Sequence, residues 1–169
     1  RDAMLMVSGN LDRTPGGAHP FPPPTKWDFT QHKPFKAVYE TNRRSVYLMT
    51  QRIQRHPFLA LFDGPDTNAS TAGRTTTTTP LQALFLMNDV TYVEAARKLA
   101  ERMMNEGGSS AEKRIRHGFI LATAREPKPA EMKILQSGFQ NRLAEFQTAN
   151  DEAAKLISVG ESQRNTSFN

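Results

Sequence analysis

The 169-residue chain contains no cysteine. That absence excludes disulfides, thiolate metal sites, covalent haem attachment through a Cys-x-x-Cys-His run, and cysteine nucleophiles. Long apolar runs are missing too. No stretch approaches the ~18 apolar residues that a transmembrane helix needs, so no membrane span is expected. Histidine is sparse: His19, His32, His56 and His117 lie far apart, and none stands in a His-Glu-x-x-His spacing. No metal site and no cofactor is therefore expected in this chain. A Gly-x-Ser-x-Gly elbow, the mark of many serine hydrolases, is absent. Acidic residues are in slight deficit, 17 against 22 Lys and Arg, for a formal net charge of +5. The excess lies mostly in residues 1–80 and forms no basic stripe, so nucleic acid is not an expected partner.

What is present is the material of one domain: 37% hydrophobic and 23% charged residues in a chain near the usual domain size of about 100–150 residues. The opening Arg1-Asp2-Ala3-Met4 has neither an initiator Met nor a basic segment leading into an apolar run. The expectation is a single domain fragment of a larger protein.

Residues 1–12 read as the end of a helix running into a turn at Gly9-Asn10. Residues 13–42 hold Pro15, Pro20, Pro22-Pro23-Pro24, Pro34 and Gly16-Gly17, which forbid a continuous helix or central strand. Aromatics Phe21, Trp27, Phe29, Phe35 and Tyr39 interrupt the stretch, so it reads as an ordered segment pinned by aromatic side chains. Val46 and Leu48 alternate with polar neighbours over 43–49, the best candidate for a strand. A short helix over 50–62 is expected to break at His56-Pro57. Residues 63–79 are again irregular, ending in a Thr run unsuited to helix.

From residue 80 the pattern turns helical. Thr79-Pro80-Leu81-Gln82 is a capping box with Pro at the first helical position. Asn88-Asp89 ends this helix and caps the next, whose apolar face carries Tyr92, Val93, Ala96, Leu99, Ala100, Met103 and Met104. Gly107-Gly108 stops it. Ser109-Ser110-Ala111-Glu112 reads as another capping box, followed by Ile115, Phe119 and Ala122 on one face. After Pro127 and Pro129, Met132, Leu135, Phe139, Leu143 and Phe146 form an apolar stripe, read as core. A last helix is expected over about 151–159. The fold class is thus mainly α: a small antiparallel bundle over 80–160, wrapped by an irregular segment over 1–79 with at most one short strand pair.

Three stretches, in this order, carry a family resemblance: Arg43-Arg44-Ser45-Val46-Tyr47; Phe62-Asp63-Gly64-Pro65-Asp66; and Arg74 followed by Thr78 through Asn88 (TTPLQALFLMN). With RDAMLMVSGNLD at the start and Arg125-Glu126-Pro127 before Glu131, the chain resembles the planctomycete domain of unknown function numbered fifteen fifty-three, also called PSD1. The resemblance implies a place in the C-terminal part of large exported proteins, hence an extracytoplasmic setting. It also implies, as partners, other domains of the same polypeptide, and a neighbouring domain that carries c-type haem. Family members continue past this chain's end with a further apolar segment, which implies uncovered apolar surface here. No activity comes with the resemblance.

Two polar constellations are candidate sites. Arg43, Arg44, Asp63, Asp66 and Arg74 lie on irregular segments, where sites tend to sit. Guanidinium groups and carboxylates together fit an anionic or carbohydrate-like ligand through bidentate contacts; they equally fit ties between two long loops. Asn88 and Asp89, with Thr79 and Gln82, lie near helix starts, which attract anions but are also explained as caps. The functional expectation is a non-catalytic structural or interaction module of a multidomain extracytoplasmic protein. The alternative is part of a hydrolase or oxidoreductase site acting on a polysaccharide-like substrate.

Overall fold

The computed structural model describes residues 1–17, 25, 30, 32, 41–52 and 54–168. The described residues form helices α1 (Asp2–Ser8), α2 (Pro57–Leu61), α3 (Pro80–Asn88), α4 (Val90–Glu106), α5 (Ala111–Thr123), α6 (Pro129–Thr148) and α7 (Asn150–Leu156), with a 3-10 turn at Ser45–Tyr47. The mainly-α expectation holds. The aromatic anchors expected over 13–42 lie outside the described residues.

The strand expected at 43–49 is a 3-10 turn instead, and among the described residues no strand is formed; Asp12 and Arg43 make an isolated parallel bridge. Local acceptors explain the difference. The Asp2 carboxylate takes both the Ser45 N–H (2.8 Å) and its hydroxyl (2.6 Å). The Tyr47 and Leu48 N–H groups donate to the Arg44 and Ser45 carbonyls at 2.9 and 3.1 Å. With its donors satisfied nearby, the short alternating run has nothing to offer a partner strand. The helix read over 50–62 is likewise shorter, because Pro57 begins it rather than breaking it. At the first helical position Pro loses no hydrogen bond, and the His56 carbonyl accepts the Ala60 N–H at 2.9 Å.

The chain groups into two compact units: Arg1, Ala3–Asn10 and Met87–Asn169 form one, Asp2 and Leu11–Leu86 the other. In the first, α4 packs on α5, α5 on α6 and α6 on α7. Four helices each place one buried apolar side chain: Leu5 of α1, Ala95 of α4, Ile115 of α5 and Met132 of α6. Gly118 lets α4 and α5 approach closely, since a Cβ there would meet Met103 Sδ at 2.5 Å. Arg102 on α4 satisfies the open end of α1, donating to the Val7 carbonyl at 2.6 Å while pairing with Glu106 at 2.9 Å. Further along, Glu94 accepts the Glu161 and Ser162 N–H groups at 3.0 Å, and Arg97 donates to the Ser162 carbonyl at 2.7 Å, so the polar end of the chain is fastened to α4.

Several helix readings shift by a residue or a face. On α4 the buried alanine is Ala95, while Ala96 and Ala100 are exposed, as is Ala122 on α5. The cap of α5 is Ser110, whose hydroxyl accepts the Lys113 N–H at 3.3 Å; Glu112 pairs instead with Arg116 at 3.5 Å. The last helix stops at Leu156. Most consequentially, the α6 stripe is core only at Met132, and Leu135, Phe139 and Leu143 stay partly open to solvent.

The turn from α5 to α6 is held electrostatically. Both terminal nitrogens of Arg125 bind Glu131, at 2.8 and 2.7 Å, and the Lys128 N–H adds a bond of 2.8 Å. The Arg125 hydrogen bonds, then the Lys128 N–H, hold the Glu131 carboxyl far below its ordinary 4.5, at about 2. A carboxyl whose pKa is depressed on folding stabilises the fold above its unfolded value and loses that contribution as pH falls through the folded one. Thermal stability is therefore expected to drop as pH falls from 4.5 towards 2, and Glu131→Gln to melt lower at pH 7 with a shallower acid loss. Calorimetry of both chains across this range checks it; superimposable pH profiles would contradict it.

Candidate functional site

The second unit holds most of the polar residues singled out from sequence, with Asp63, Asp66 and Arg74 on the loop between α2 and α3. Phe58 and Phe62 of the α2 region pack with Phe85 of α3, ring centroids 4.8 to 6.3 Å apart. This aromatic contact sets both ends of the intervening loop. The loop begins with a sharp reversal. Asp63 takes a left-handed backbone (φ 56°), and the Gly64 N–H turns back to the Leu59 carbonyl at 2.6 Å. Gly64 is required there, since a Cβ would lie 2.5 Å from the Leu59 carbonyl oxygen. Arg55 donates to the Gly64 carbonyl and closes the reversal from the other side.

Asp63 and Arg74 do come together, through the backbone. Asp63 Oδ2 accepts the Thr77 N–H at 2.8 Å, and the Thr77 hydroxyl donates to the same carboxylate at 2.9 Å. Arg74 reaches the Phe62 and Asp63 carbonyls at 3.4 Å. The Thr77 N–H and hydroxyl, followed by Gln82 and the Arg74 charge, outweigh desolvation and keep the Asp63 carboxyl below its ordinary value. It is ionised at neutral pH with both oxygens engaged, the opposite of a general base poised near 7.

The centre of this arrangement is Gln82, which is buried. Its Oε1 accepts the Thr79 N–H at 2.9 Å, and the Thr79 hydroxyl accepts the Gln82 N–H at 3.2 Å, forming the capping box read from sequence. The Nε2 then donates to the Leu61 carbonyl at 2.8 Å and to Thr77 Oγ1 at 3.2 Å. One carboxamide thus joins the end of α2, the loop and the start of α3.

The remaining candidates have separate duties. Asp66 makes a local turn, accepting the Asn68 N–H at 2.9 Å. That bond and Asn68's side chain, against a smaller desolvation effect, lower its pKa, and the Arg55 charge adds to this. Asn68 Nδ2 and Thr67 Oγ1 donate to the Arg52 and Gln51 carbonyls at 2.9 Å. Arg43 pairs with Asp12 at 3.3 Å. Arg44 heads the 3-10 turn through its carbonyl. Asn88 closes α3, and Asp89 Oδ1 caps α4 by accepting the Thr91 N–H at 3.0 Å. Among the described residues, no group of three or more His, Asp or Glu is arranged to hold a metal ion.

Sequence reasoning gave Thr77 and Arg55 no role. A Thr in a Thr run and a lone Arg have no local signature, and their partners lie 14 and 9 residues away. Gln82→Ala leaves the Leu61 carbonyl and Thr79 N–H without their partner and is expected to cost about 1–3 kcal/mol. Asp63→Ala is expected to lower the melting temperature through the same loop. Urea unfolding of both variants checks this; unchanged midpoints would return these residues to a ligand-binding role.

Comparison with known proteins agrees with the order of motifs. No curated protein and no solved structure matches the chain. A model for a protein family of unknown function, PSD1 (DUF1553), matches residues 1–139, from the first residue into α6. The match takes in the Arg43–Tyr47, Phe62–Asp66 and Thr78–Asn88 stretches and most of the 169 residues, and the chain therefore belongs to the PSD1 (DUF1553) family.

Proposed function

We propose that this chain is a non-catalytic structural and interaction module, docked through α3 against another domain of the same extracytoplasmic polypeptide. The observation that carries the reading is the outer face of α3. Leu81, Leu84 and Met87 share that face and are 61%, 59% and 76% exposed, within a nine-residue helix whose polar residues are only Gln82 and the terminal Asn88. Gln82 and Phe85 point inward, to the loop and the aromatic contact, which leaves the leucines outside. Adjacent exposed leucines are the kind of surface that partner domains cover. The polar candidates support the same reading: Asp63, Asp66, Arg74 and Asp89 bind backbone groups of their own loops and helix starts. Residues 80–88 are expected to exchange amide hydrogens more slowly in the longer polypeptide than in the 169-residue chain, and Leu81→Ser with Leu84→Ser to erase that difference without lowering the melting temperature. Equal exchange in both contexts would count against docking.

A ligand-binding role for Arg43, Asp63, Asp66 and Arg74 predicts something else. Anything that binds only the folded state raises the melting temperature. A thermal-shift screen against sugars, phosphate and divalent cations is expected to leave the chain unmoved. A reproducible rise that disappears in Arg74→Ala would replace the module reading with a carbohydrate or anion site.

A further inference from the structure

The stripe on α6 is mirror-symmetric in sequence. Leu135 lies four residues before Phe139 and Leu143 four after; Met132 lies seven before and Phe146 seven after. At 3.6 residues per turn these positions share one face. Its central part is open: Leu135, Phe139 and Leu143 are 38%, 40% and 41% exposed. We propose that this face is completed by a second copy of the chain, with two α6 helices packed antiparallel about a twofold axis at Phe139.

The occupant follows from the spacing. In a twofold interface residue i meets j and j meets i. Antiparallel pairing about Phe139 sets Phe139 on Phe139 and each Leu135 opposite the second copy's Leu143, so each of the three open apolar side chains finds an apolar partner. A parallel pair in register would instead set Arg142 beside Arg142 and Glu131 beside Glu131. The flanking charges agree with the antiparallel choice. Glu131 and Arg142 lie within about 20° of each other around the helix. Antiparallel pairing brings Arg142 to within about 8 Å, along the axis, of the second copy's Glu131. The Arg142 head, which now pairs with Glu145 at 2.5 Å and is mostly exposed, reaches that distance. Three open apolar residues per copy bury less than the ~1,200 Å² of standard stable interfaces, so the dimer is reversible. It is a separate surface from the α3 face and does not depend on the α3 reading.

Sedimentation equilibrium of the 169-residue chain over a wide concentration range is expected to show monomer and dimer. Phe139→Asp is expected to weaken the dimer at least about ten-fold while leaving far-UV circular dichroism unchanged. Ile134→Asp, at a position 71% exposed and away from the stripe, is expected to leave the dimer intact. Since the chain has no cysteine, single introduced cysteines carry spin labels without background. Antiparallel pairing separates like positions by about 3 Å along the axis per residue from 139. Gln140 and Gln147 lie on one flank of the stripe, so Gln140→Cys labels are expected close together and Gln147→Cys labels about 24 Å apart along the axis. A chain that stays monomeric, equal loss with Ile134→Asp, or equal label distances at both sites would overturn the proposal. The first of these would leave the stripe to a segment of a longer chain.

Discussion

Gln82 is the third residue of α3, where a helix ordinarily needs only a reciprocal cap. Its Oε1 performs that task on Thr79, but its Nε2 is turned away from the helix to the Leu61 carbonyl and the Thr77 hydroxyl. Thr77 in turn holds Asp63, and Asp63 stands in a left-handed conformation at the exit of α2. The conformation costs energy for a residue with a Cβ, and it persists because the carboxylate and the Gly64 N–H are both satisfied by it. A loop longer than about 15 residues with no regular structure is uncommon in a compact domain. Here it is ordered by one buried amide and one carboxylate, with Arg74 and Arg55 collecting the carbonyls left over.

The helical unit solves the same problem with longer side chains. Arg102, Glu94 and Arg97 all stand on α4, and each reaches backbone groups in a segment remote in sequence: α1 for the first, the stretch after Gly160 for the other two. Burial raises the Glu94 carboxyl, yet the bonds from Ser162 and Glu161 and the Arg97 charge more than offset this and leave it below its ordinary value. The carboxylate is thus kept charged in a half-buried place because it terminates otherwise open N–H groups. In both units ionised and amide side chains act chiefly as backbone partners.

Helix ends were the most legible part of the sequence. Thr79-Pro80-Leu81-Gln82, Asp89 and Gly9 announce their caps within three residues, and the structure uses each as written. Faces were less legible: a 100° advance per residue means a one-position error trades Ala95 for Ala96, which periodicity alone does not separate. The strand at 43–49 failed because its competitor, the Asp2 carboxylate, lies 43 residues away in sequence. The charged residues of the loop were found, but their partners were not. Those partners are carbonyl oxygens and a Thr hydroxyl, groups every segment possesses, and only the fold decides which come near. The α6 stripe was misjudged as core because periodicity shows which side chains share a face, not whether another element covers that face.

Taken together, the polar side chains that composition makes most suggestive are turned to the chain's own backbone, and the apolar ones that composition would bury are left in view. On α3, Leu81 and Leu84 form an open patch beside the inward Gln82 and Phe85, within a helix of nine residues. On α6, reversal about Phe139 reproduces the stripe residue class by residue class, the condition for an isologous contact. Under the two proposals, the α3 patch joins another domain and the α6 stripe a copy of the chain, and neither contact uses the other's side chains.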